Sequence, residues 1–374
     1  MDIDRRPSRT YNVLHYKAVG DGITYDTNAF LKAWEAACSD PRNPTILIPR
    51  RKTFLIQEFK VWGPCRSPIY FKIQGNIVAP NAIWSNENVN LLTFLNVDGL
   101  TLEGSGEIDG RGQVWWDCEA QKTLAFLGCN NLIVRGIKVK DSASKQVTFY
   151  KCNRVRISSL KITAPDESPN TDGMLITGCQ YVSVRRSTIG TGDDCIAIGP
   201  DSRDINISSV TCGPGHGFSI GSLGGVGTKS VVKNIRVTHS SVSNALTGVR
   251  IKTWQGGRGV VRDIVFKDID FAAVTTPVVI DQYYCPSRNC QNKTSSIAIR
   301  DVRFEELRGS SSSEIAIKVH CSKDVPCKGI VMDNVSLNWA DDRRAQPTPA
   351  KSSCYNALDS RFHGVTPQVE CRTG

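Results

Sequence analysis

An apolar pattern recurs through the middle of the chain, with anchors at relative positions 0, 2, 5 and 7. One copy is Leu132, Val134, Ile137 and Val139, and serine fills the third slot of two later copies. Alternation over two positions predicts a short strand with one buried face, and the offset of three predicts a bend before a second strand. The copies begin at Leu132, Val155, Val182, Ile205, Ile235, Ile264, Ile297 and Ile330.

Successive copies are separated by steps of 23 to 33 residues. Short strands that return at such intervals can stack on one another, so that each rung pairs with its neighbours and encloses a continuous aliphatic column. A β-sandwich would not keep the same four offsets eight times, and the leucine–asparagine signature of leucine-rich repeats is missing from this sequence. The pattern therefore predicts an all-β fold, a parallel β-helix.

Both ends of such a coil need a cover, because they would otherwise expose strand edges and apolar interior. Residues 26–38 have apolar positions at helical spacing and predict an N-terminal capping helix. Residues 321–371 contain four cysteines and predict a disulfide-pinned C-terminal cap. Since no linker divides the chain, we expect one domain over residues 1–374, with the N-terminal cap and first turns at about 11–65 and the C-terminal cap at about 321–374.

Composition and charge narrow the possible partners. No apolar run approaches the roughly 18 residues that a membrane span needs, so we expect no membrane insertion. The net charge is +10, spread along the chain as single Lys and Arg residues. A solvated surface explains this charge most simply, and attraction to a polyanion such as an acidic polysaccharide is the functional alternative. No nucleic-acid-binding motif occurs, so we expect no nucleic-acid partner.

The fourteen cysteines, without a paired C-x-x-C zinc pattern, predict disulfides and secretion. Four pairs are close enough to close small loops: Cys195 with Cys212, Cys285 with Cys290, Cys321 with Cys327, and Cys354 with Cys371. Four cysteines fall three residues before the first anchor of a copy and predict a ladder of buried thiols, in which case some are unpaired: Cys129, Cys152, Cys179 and Cys327.

Two further features bear on secretion. Sequons at Asn206, Asn292 and Asn334 are compatible with a secreted glycoprotein. The charged segment 1–10 has no apolar core and is not a signal peptide, so we expect a processed chain with an added Met.

Charged residues recur at the spacing of the rungs. The set, partly in glycine-marked turns, is Asp172, Asp193, Asp194, His216, Arg250 and Lys252. Asp172 precedes Asp194 by 22 residues, and Asp194 precedes His216 by 22, about one rung, so these side chains should stack roughly 5 Å apart. A single Asp in such a turn usually caps the backbone, but three in register beside basic groups favour a site. Like charges this close raise the pKa of at least one carboxyl, which provides a proton donor beside a base for acid/base chemistry on an anionic sugar.

Several motifs carry a family resemblance: residues 108–112, 168–173, 191–195, 212–217 and 250–253. Together they resemble those of the polygalacturonases of glycoside hydrolase family 28, the plant branch in particular, and the resemblance covers nearly the whole chain. It implies a right-handed parallel β-helix, a pectin-lyase-like solenoid. It also implies inverting hydrolysis of α-1,4-linked galacturonan, with no metal or other cofactor.

The resemblance also implies a role for each catalytic residue. Asp193 matches the general acid that protonates the glycosidic oxygen. Asp172 and Asp194 match the pair that activates the water, and inverting chemistry requires carboxyl groups about 6.5–9.5 Å apart to admit that water. His216 resembles the residue that supports protonation of the acid.

Substrate contacts are implied in the same way. Arg250 and Lys252 would bind the uronate carboxylate, Arg as a planar fork and Lys as a point charge. Asn170 and Tyr284 match positions associated with substrate contact. The sequence departs from the usual plant pattern at Met174-Leu175, in place of Ile-His, and at Ala197, in place of Ser. These departures bear on subsite details and leave the catalytic groups in place.

We therefore expect a secreted, monomeric hydrolase of pectin in the plant cell wall. Residues 250–257 resemble those of endo-acting plant members, so internal cleavage is favoured, and exo action is the alternative. A pectate lyase on the same fold would need a calcium-binding acidic cluster and an arginine base. A catalytically silent wall-binding protein would be free to lose Asp193 or His216, and this chain retains both.

Overall fold

The computed structural model describes residues 9–84, 90–117, 122–286, 290, 292–294, 296–340 and 348–373. The expectation of a processed N-terminus rests on residues that lie mostly outside this range. Within these residues, the helices are α1 (Thr27–Cys38) and three 3₁₀ turns, at Val13–Tyr16, Gly112–Trp115 and Gly225–Gly227. None of the helices in the described part of the chain has the length and hydropathy needed to cross a membrane.

Short strands make up most of the chain. Those up to residue 109 are β1 (Thr10–Asn12), β2 (Asp21–Tyr25), β3 (Thr45–Ile48), β4 (Thr53–Leu55), β5 (Phe59–Trp62), β6 (Tyr70–Ile73), β7 (Asn76–Val78), β8 (Leu92–Leu95), β9 (Thr101–Gly104) and β10 (Glu107–Asp109). The middle strands are β11 (Leu124–Leu127), β12 (Asn130–Arg135), β13 (Lys138–Lys140), β14 (Val147–Tyr150), β15 (Asn153–Ser158), β16 (Lys161–Thr163), β17 (Met174–Thr177), β18 (Gln180–Gly190), β19 (Ile196–Ile198), β20 (Arg203–Cys212), β21 (Phe218–Leu223) and β22 (Lys229–Ser243). The last are β23 (Thr247–Thr253), β24 (Arg258–Val274), β25 (Thr276–Asp281), β26 (Ala298–Ser311), β27 (Ile315–His320), β28 (Cys327–Trp339), β29 (Thr348–Pro349), β30 (Lys351–Tyr355), β31 (Ala357–Leu358), β32 (Arg361–Thr366) and β33 (Cys371–Arg372).

These strands form two sheets in the described residues. Sheet 1 consists of β5, β8, β11, β14, β17, β19, β21, β23, β25, β27, β30 and β33, and sheet 2 contains the others. Each strand of sheet 1 pairs in parallel with its equivalent in the next rung, as β17 does with β14 and β19. The antiparallel exception in the described part is β28 with β29. The chain thus winds as a parallel β-helix, and the fold class predicted from the sequence is confirmed.

One residue per rung bends the chain in sheet 2 and explains the apolar pattern. It lies four positions after the first anchor and has a left-handed backbone, with φ between 47° and 77°. A left-handed residue breaks the strand alternation, so the next inward-facing anchor follows after three positions instead of two. The bend residues are Gly136, Ser159, Arg186, Ser209, His239, Asp268, Glu306 and Asn334.

The seventh copy of the pattern was misassigned from the sequence. Ile264 pairs with Val302 and Val302 with Ile330, so this copy begins at Val302 rather than at Ile297. Ile299 instead pairs with Val261, in the segment that precedes the anchors. Apolar residues alternate in that segment too. The same four offsets therefore also fit a copy that begins at Ile297, five residues before Val302.

Aromatic and aliphatic side chains stack along the interior. Phe94, Phe126 and Phe149 occupy equivalent positions in successive rungs, with ring centroids 5.4 and 5.3 Å apart. Phe266 stacks on Phe304 at 5.4 Å in the same way. Burial of each such ring contributes about 1.5–3 kcal/mol relative to leaving it exposed. Equivalent residues therefore stabilise neighbouring rungs jointly.

The predicted capping helix is α1, whose apolar side lies on the N-terminal end of the coil. Phe30, Ala33 and Trp34 are buried, and the Trp34 ring lies 5.5 Å from that of Phe94. The Asp26 carboxylate before the helix accepts hydrogen bonds from the backbone N–H groups of residues 19 and 20, at 2.6 and 3.1 Å. The disulfide Cys38–Cys65 links the end of α1 covalently to the coil.

The cysteines largely follow the sequence prediction. All four predicted disulfides are present, and those at 321–327 and 354–371 lie in the C-terminal part of the coil. Cys129, Cys152 and Cys179 are buried free thiols in successive rungs, which confirms the ladder for these three. Cys327 was wrongly placed in it: its thiol is bonded to Cys321, because a tight loop brings the two cysteines within 5.6 Å (Cα–Cα).

Candidate active site

The three aspartates and His216 lie in turns that lead into strands of sheet 1, whereas Arg250 and Lys252 lie on β23. Strands β17, β19 and β21 pair in register through Met174, Ile196 and Phe218. Asp172, Asp194 and His216 each stand two positions before one of these paired residues. We call this set of equivalent positions the site column. The pairing of Ile196 with Phe218 therefore places His216 in register with Asp194, as their spacing of 22 residues predicts.

Glycines let these turns pack closely enough to form the column. A Cβ atom at Gly192 would lie 2.0 Å from the carbonyl oxygen of Ser168 in the rung before. Gly215 has a φ of 136°, and a Cβ there would lie 2.5 Å from the carbonyl oxygen of Asp193. Only glycine allows so close an approach of the neighbouring backbone, and glycine also adopts the positive φ of Gly215 readily. These two requirements explain the glycine-marked motifs.

Asp194 is buried and held by two cations. Arg250 Nη2 donates to its Oδ1 at 2.6 Å, and Lys252 Nζ donates to its Oδ2 at 2.8 Å. Ser219 Oγ donates to Asp194 Oδ1 at 2.7 Å and accepts from Arg250 Nε at 3.1 Å. The side chain of Asp194 is 3% exposed, so these partners offset the cost of burying a carboxylate. The result is a fixed, fully hydrogen-bonded carboxylate before β19, whose partners are on β21 and β23.

Asp193 faces His216 across the neighbouring turn. His216 Nδ1 and Asp193 Oδ1 are 2.8 Å apart, and the backbone N–H of Asp194 donates to the same oxygen at 2.8 Å. Burial acts to raise the pKa of Asp193, but the hydrogen bond and charge of His216 lower it more, with help from Lys252. The pKa of Asp193 is therefore below its usual range, because its partners favour the ionised carboxylate.

Asp172 is in a different electrostatic environment. Its side chain is 8% exposed, and burial raises its pKa well above the usual value. The charges of Asp193 and Asp194 raise it further, whereas Lys145 and Lys252 act in the opposite direction. The surroundings thus raise the pKa of Asp172 and lower that of Asp193. Such a separation of pKa values lets two carboxyls take separate acid and base roles. The proton is held more readily by Asp172 than by Asp193, the residue predicted to be the acid.

The predicted substrate-contact residues lie at the edge of this cluster. The ring of Tyr284 is 5.4 Å from Lys252 Nζ, in a cation–π contact, and is perpendicular to the indole of Trp254 at 5.6 Å. Asn170 is exposed at the rim, and its carbonyl oxygen accepts a hydrogen bond from Lys145 Nζ at 3.0 Å. All eight predicted residues therefore lie on the same side of the coil.

Two residues of the cluster were missed in the sequence. Ser219 pairs with Arg250 in register, and its only signal was a polar residue within an apolar strand. Lys145 forms an ion pair with Asp172, with Nζ 3.6 Å from Oδ1. Its signal was the spacing, since it stands one rung before Asp172.

One group of donors in the described residues is close enough to surround a cation. Ligand atoms of Asp193, Asp194 and His216 lie within 4.8 Å of one another. However, both oxygens of Asp194 already accept from Arg250 and Lys252, and a bound cation would face these two positive charges. The arrangement therefore suits proton transfer and the binding of an anion better than the binding of a metal.

Comparisons with known proteins agree with this chemistry. A family model described as "Glycosyl hydrolases family 28" matches residues 38–357. A probable polygalacturonase of Arabidopsis thaliana is 41% identical over 97% of this chain and 84% of its own length. Polygalacturonase-2 of Solanum lycopersicum is 37% identical over 98% of this chain and 82% of its own.

Solved structures share the fold at lower identity. Endo-xylogalacturonan hydrolase of Aspergillus tubingensis has a TM-score of 0.80 at 24% identity, covering 98% of this chain and 99% of that one. The polygalacturonase of Erwinia carotovora has a TM-score of 0.72 at 18% identity, covering 99% and 97%. At these identities the similarity establishes the fold alone.

Proposed function

Because the chain belongs to glycosyl hydrolase family 28, we propose that it hydrolyses the α-1,4 linkages of galacturonan, the acidic backbone of pectin. The observation that carries this proposal is the pairing of Asp193 with His216 beside Asp194, which Arg250 and Lys252 hold. This cluster combines a proton donor pair with cations that suit a uronate carboxylate. The plant relatives named above, which are called polygalacturonases, support the same substrate.

The proposed reaction begins with proton transfer at the Asp193–His216 pair. A uronate carboxylate bound close by adds negative charge, which raises the pKa of Asp193 and favours transfer of the imidazole proton to it. Asp193 then passes the proton to the glycosidic oxygen as the bond between that oxygen and the anomeric carbon breaks. After the products leave, His216 takes up a proton from solvent, and Asp172 releases to solvent the proton that it accepts from the attacking water.

Water completes the reaction from the opposite face of the sugar. Asp172 accepts a proton from this water, and Asp194, fixed by its two cations, orients it. The water oxygen bonds to the anomeric carbon, so its configuration is inverted. The planar guanidinium of Arg250 has five N–H donors, and two of its nitrogens contact Asp194 and Ser219. We assign Arg250, together with Lys252, to binding of the uronate carboxylate. Asn170 and Tyr284 are assigned to positioning of the substrate.

Internal cleavage is the proposed mode of action. Residues 250–257 and the adjoining Trp254–Tyr284 contact support it, because they provide an aromatic wall beside the cluster. Loss of viscosity of a polygalacturonate solution should then run well ahead of the release of reducing ends. Release of single galacturonate units with little loss of viscosity would indicate exo action instead.

We also propose that the protein is secreted as a monomer and acts in the cell wall. The five disulfides seen in the described part of the chain support secretion, since such bonds persist in oxidising compartments. Asn206 and Asn334 are exposed and remain candidates for glycosylation. Light scattering on the secreted protein tests its mass against the 41.0 kDa of the single chain.

One experiment tests the proposed activity. Polygalacturonate is incubated with the protein in the presence of a chelator, and the anomeric configuration of the first products is followed by NMR. The expected result is β-configured reducing ends, and none with Asp193→Asn, which retains the shape of the side chain. Unsaturated products would indicate a lyase. The absence of any product would instead favour a catalytically silent wall-binding protein.

A further inference from the structure

Lys145 extends the site column by one rung. It stands two positions before Val147, and Val147 pairs with Met174 just as Met174 pairs with Ile196. Lys145 therefore occupies the position that Asp172 occupies in the next rung. A lysine in this column faces a row of side chains and not open solvent, and 21% of its side chain is exposed.

The contacts of Lys145 are directed at one catalytic carboxyl. Its Nζ lies 3.6 Å from Asp172 Oδ1 and donates to the carbonyl oxygen of Asn170 at 3.0 Å. The distance to Asp172 is longer than a hydrogen bond, so the interaction is electrostatic and leaves Oδ1 accessible to another donor. The carbonyl contact fixes the ammonium group where it is.

The other charged groups that face Asp172 do not compensate its burial. Asp193 and Asp194 are both acidic and oppose its ionisation. Lys252 is cationic but is bound to Asp194 at 2.8 Å, so much of its charge is already offset. Within the described residues, Lys145 is the cation that forms an ion pair with Asp172.

We propose that Lys145 is a positioning residue that stabilises the ionised form of Asp172, the form that can accept the proton of the attacking water. This inference rests on the proposed hydrolytic function and assigns to it a residue outside the family motifs. An opposite charge at such a distance lowers the pKa of a carboxyl by about 1 to 3. Without Lys145, burial and the two neighbouring carboxylates would act on Asp172 with little opposition.

The sign of the effect on the pH profile follows directly. Asp172 must be ionised to act as a base, so its pKa sets the acid limb of kcat/KM. In Lys145→Met that pKa rises, and the limb should move to higher pH by at least about 1. Well below the limb, kcat/KM should fall by about tenfold or more, and well above it the loss should be small.

Matched variants separate this role from others. Lys145→Arg keeps the charge and should leave the limb in place. Lys161→Met removes an exposed lysine of sheet 2 and controls for net charge. Profiles are measured on an oligogalacturonate at constant high ionic strength, with circular dichroism to confirm folding. An unchanged limb in Lys145→Met overturns the proposal, and a rise in KM alone would show that Lys145 binds substrate instead.

A second measurement does not depend on activity. The titration of the Asp172 carboxyl is followed by NMR with ¹³C-labelled aspartate, and the signal is assigned with Asp172→Asn. We expect its midpoint to lie at higher pH in Lys145→Met than in the wild type or in Lys145→Arg. Equal midpoints would overturn the proposal even if the protein hydrolysed nothing, whereas a shifted midpoint without hydrolysis would refute only the proposed function.

Discussion

Replacing Asp194 with asparagine should destabilise the protein more than the same replacement of an exposed aspartate does. Asp194→Asn keeps the size of the side chain but removes its negative charge. Arg250 and Lys252, whose side chains are 10% and 7% exposed, would then be two buried cations beside a neutral amide. Only one atom of that amide accepts hydrogen bonds, so at least one cation loses its partner.

The size of the effect follows from the burial. Removing one partner of a buried ion pair costs about 3–5 kcal/mol, because the remaining charge is uncompensated. The entropy of unfolding is about 2.1 cal/mol/K per residue, or about 0.8 kcal/mol/K for 374 residues. The midpoint of thermal unfolding should therefore fall by about 4–6 °C.

Scanning calorimetry at one scan rate measures this shift, with Asp263→Asn as the matched control. Asp263 also forms an ion pair, at 2.6 Å from Arg262, but both side chains are nearly half exposed. Its replacement should shift the midpoint by less than about 1 °C. In the double variant Asp194→Asn/Lys252→Met, the midpoint should recover by at least about 2 °C, because one uncompensated cation is gone.

Two results would refute this reasoning. If Asp194→Asn and Asp263→Asn shift the midpoint equally, the buried cluster does not stabilise the fold as its distances suggest. If the double variant is no more stable than Asp194→Asn, the cost lies elsewhere than in the unpaired charge of Lys252.

Three further predictions concern the turns, a disulfide and the substrate. Gly192→Ala should sharply lower the yield of folded protein. Gly225→Ala should not, because a Cβ atom at Gly225 would lie 3.6 Å from its nearest neighbour, and equal yields would contradict the close packing at Gly192. Cys195→Ala/Cys212→Ala removes a link with a separation of 17 residues and should cost about 3 kcal/mol in denaturant unfolding. The KM for polygalacturonate should rise with salt as the charges are screened, and a KM independent of salt would argue against recognition of an anion.

Much of the fold could be predicted because the repeat leaves a direct trace in the sequence. Each rung buries the same four positions, and a left-handed bend such as Ser209 fixes their spacing. The seventh copy was misassigned because the apolar positions that start at Ile297 and those that start at Val302 both fit the pattern, and only the pairing of β26 distinguishes them. The Cys38–Cys65 disulfide was missed because its partners are 27 residues apart and joined by the path of the coil.

The site was predictable to the extent that its residues stand in marked turns. Asp172 directly precedes Gly173, and Asp194 stands two positions after Gly192; both glycines are required by close packing, so motif and position agree. Lys145 and Ser219 carry no such mark, since one lysine or serine in a strand turn is common in any sequence. The partners of Asp194 lie 56 and 58 residues away in the chain, and their contact depends on side-chain directions that spacing alone does not determine.

The site column is aligned by pairing between strands and not by distance along the chain. A loop that leaves the coil between two rungs can therefore lengthen or shorten without moving Asp172, Asp194 or His216 relative to one another. In evolution, the segments that border the site column are free to diversify while the reaction itself is preserved. Relatives on this scaffold can thus differ in which polymers they accept and where they cut, through changes that never touch the residues that transfer protons.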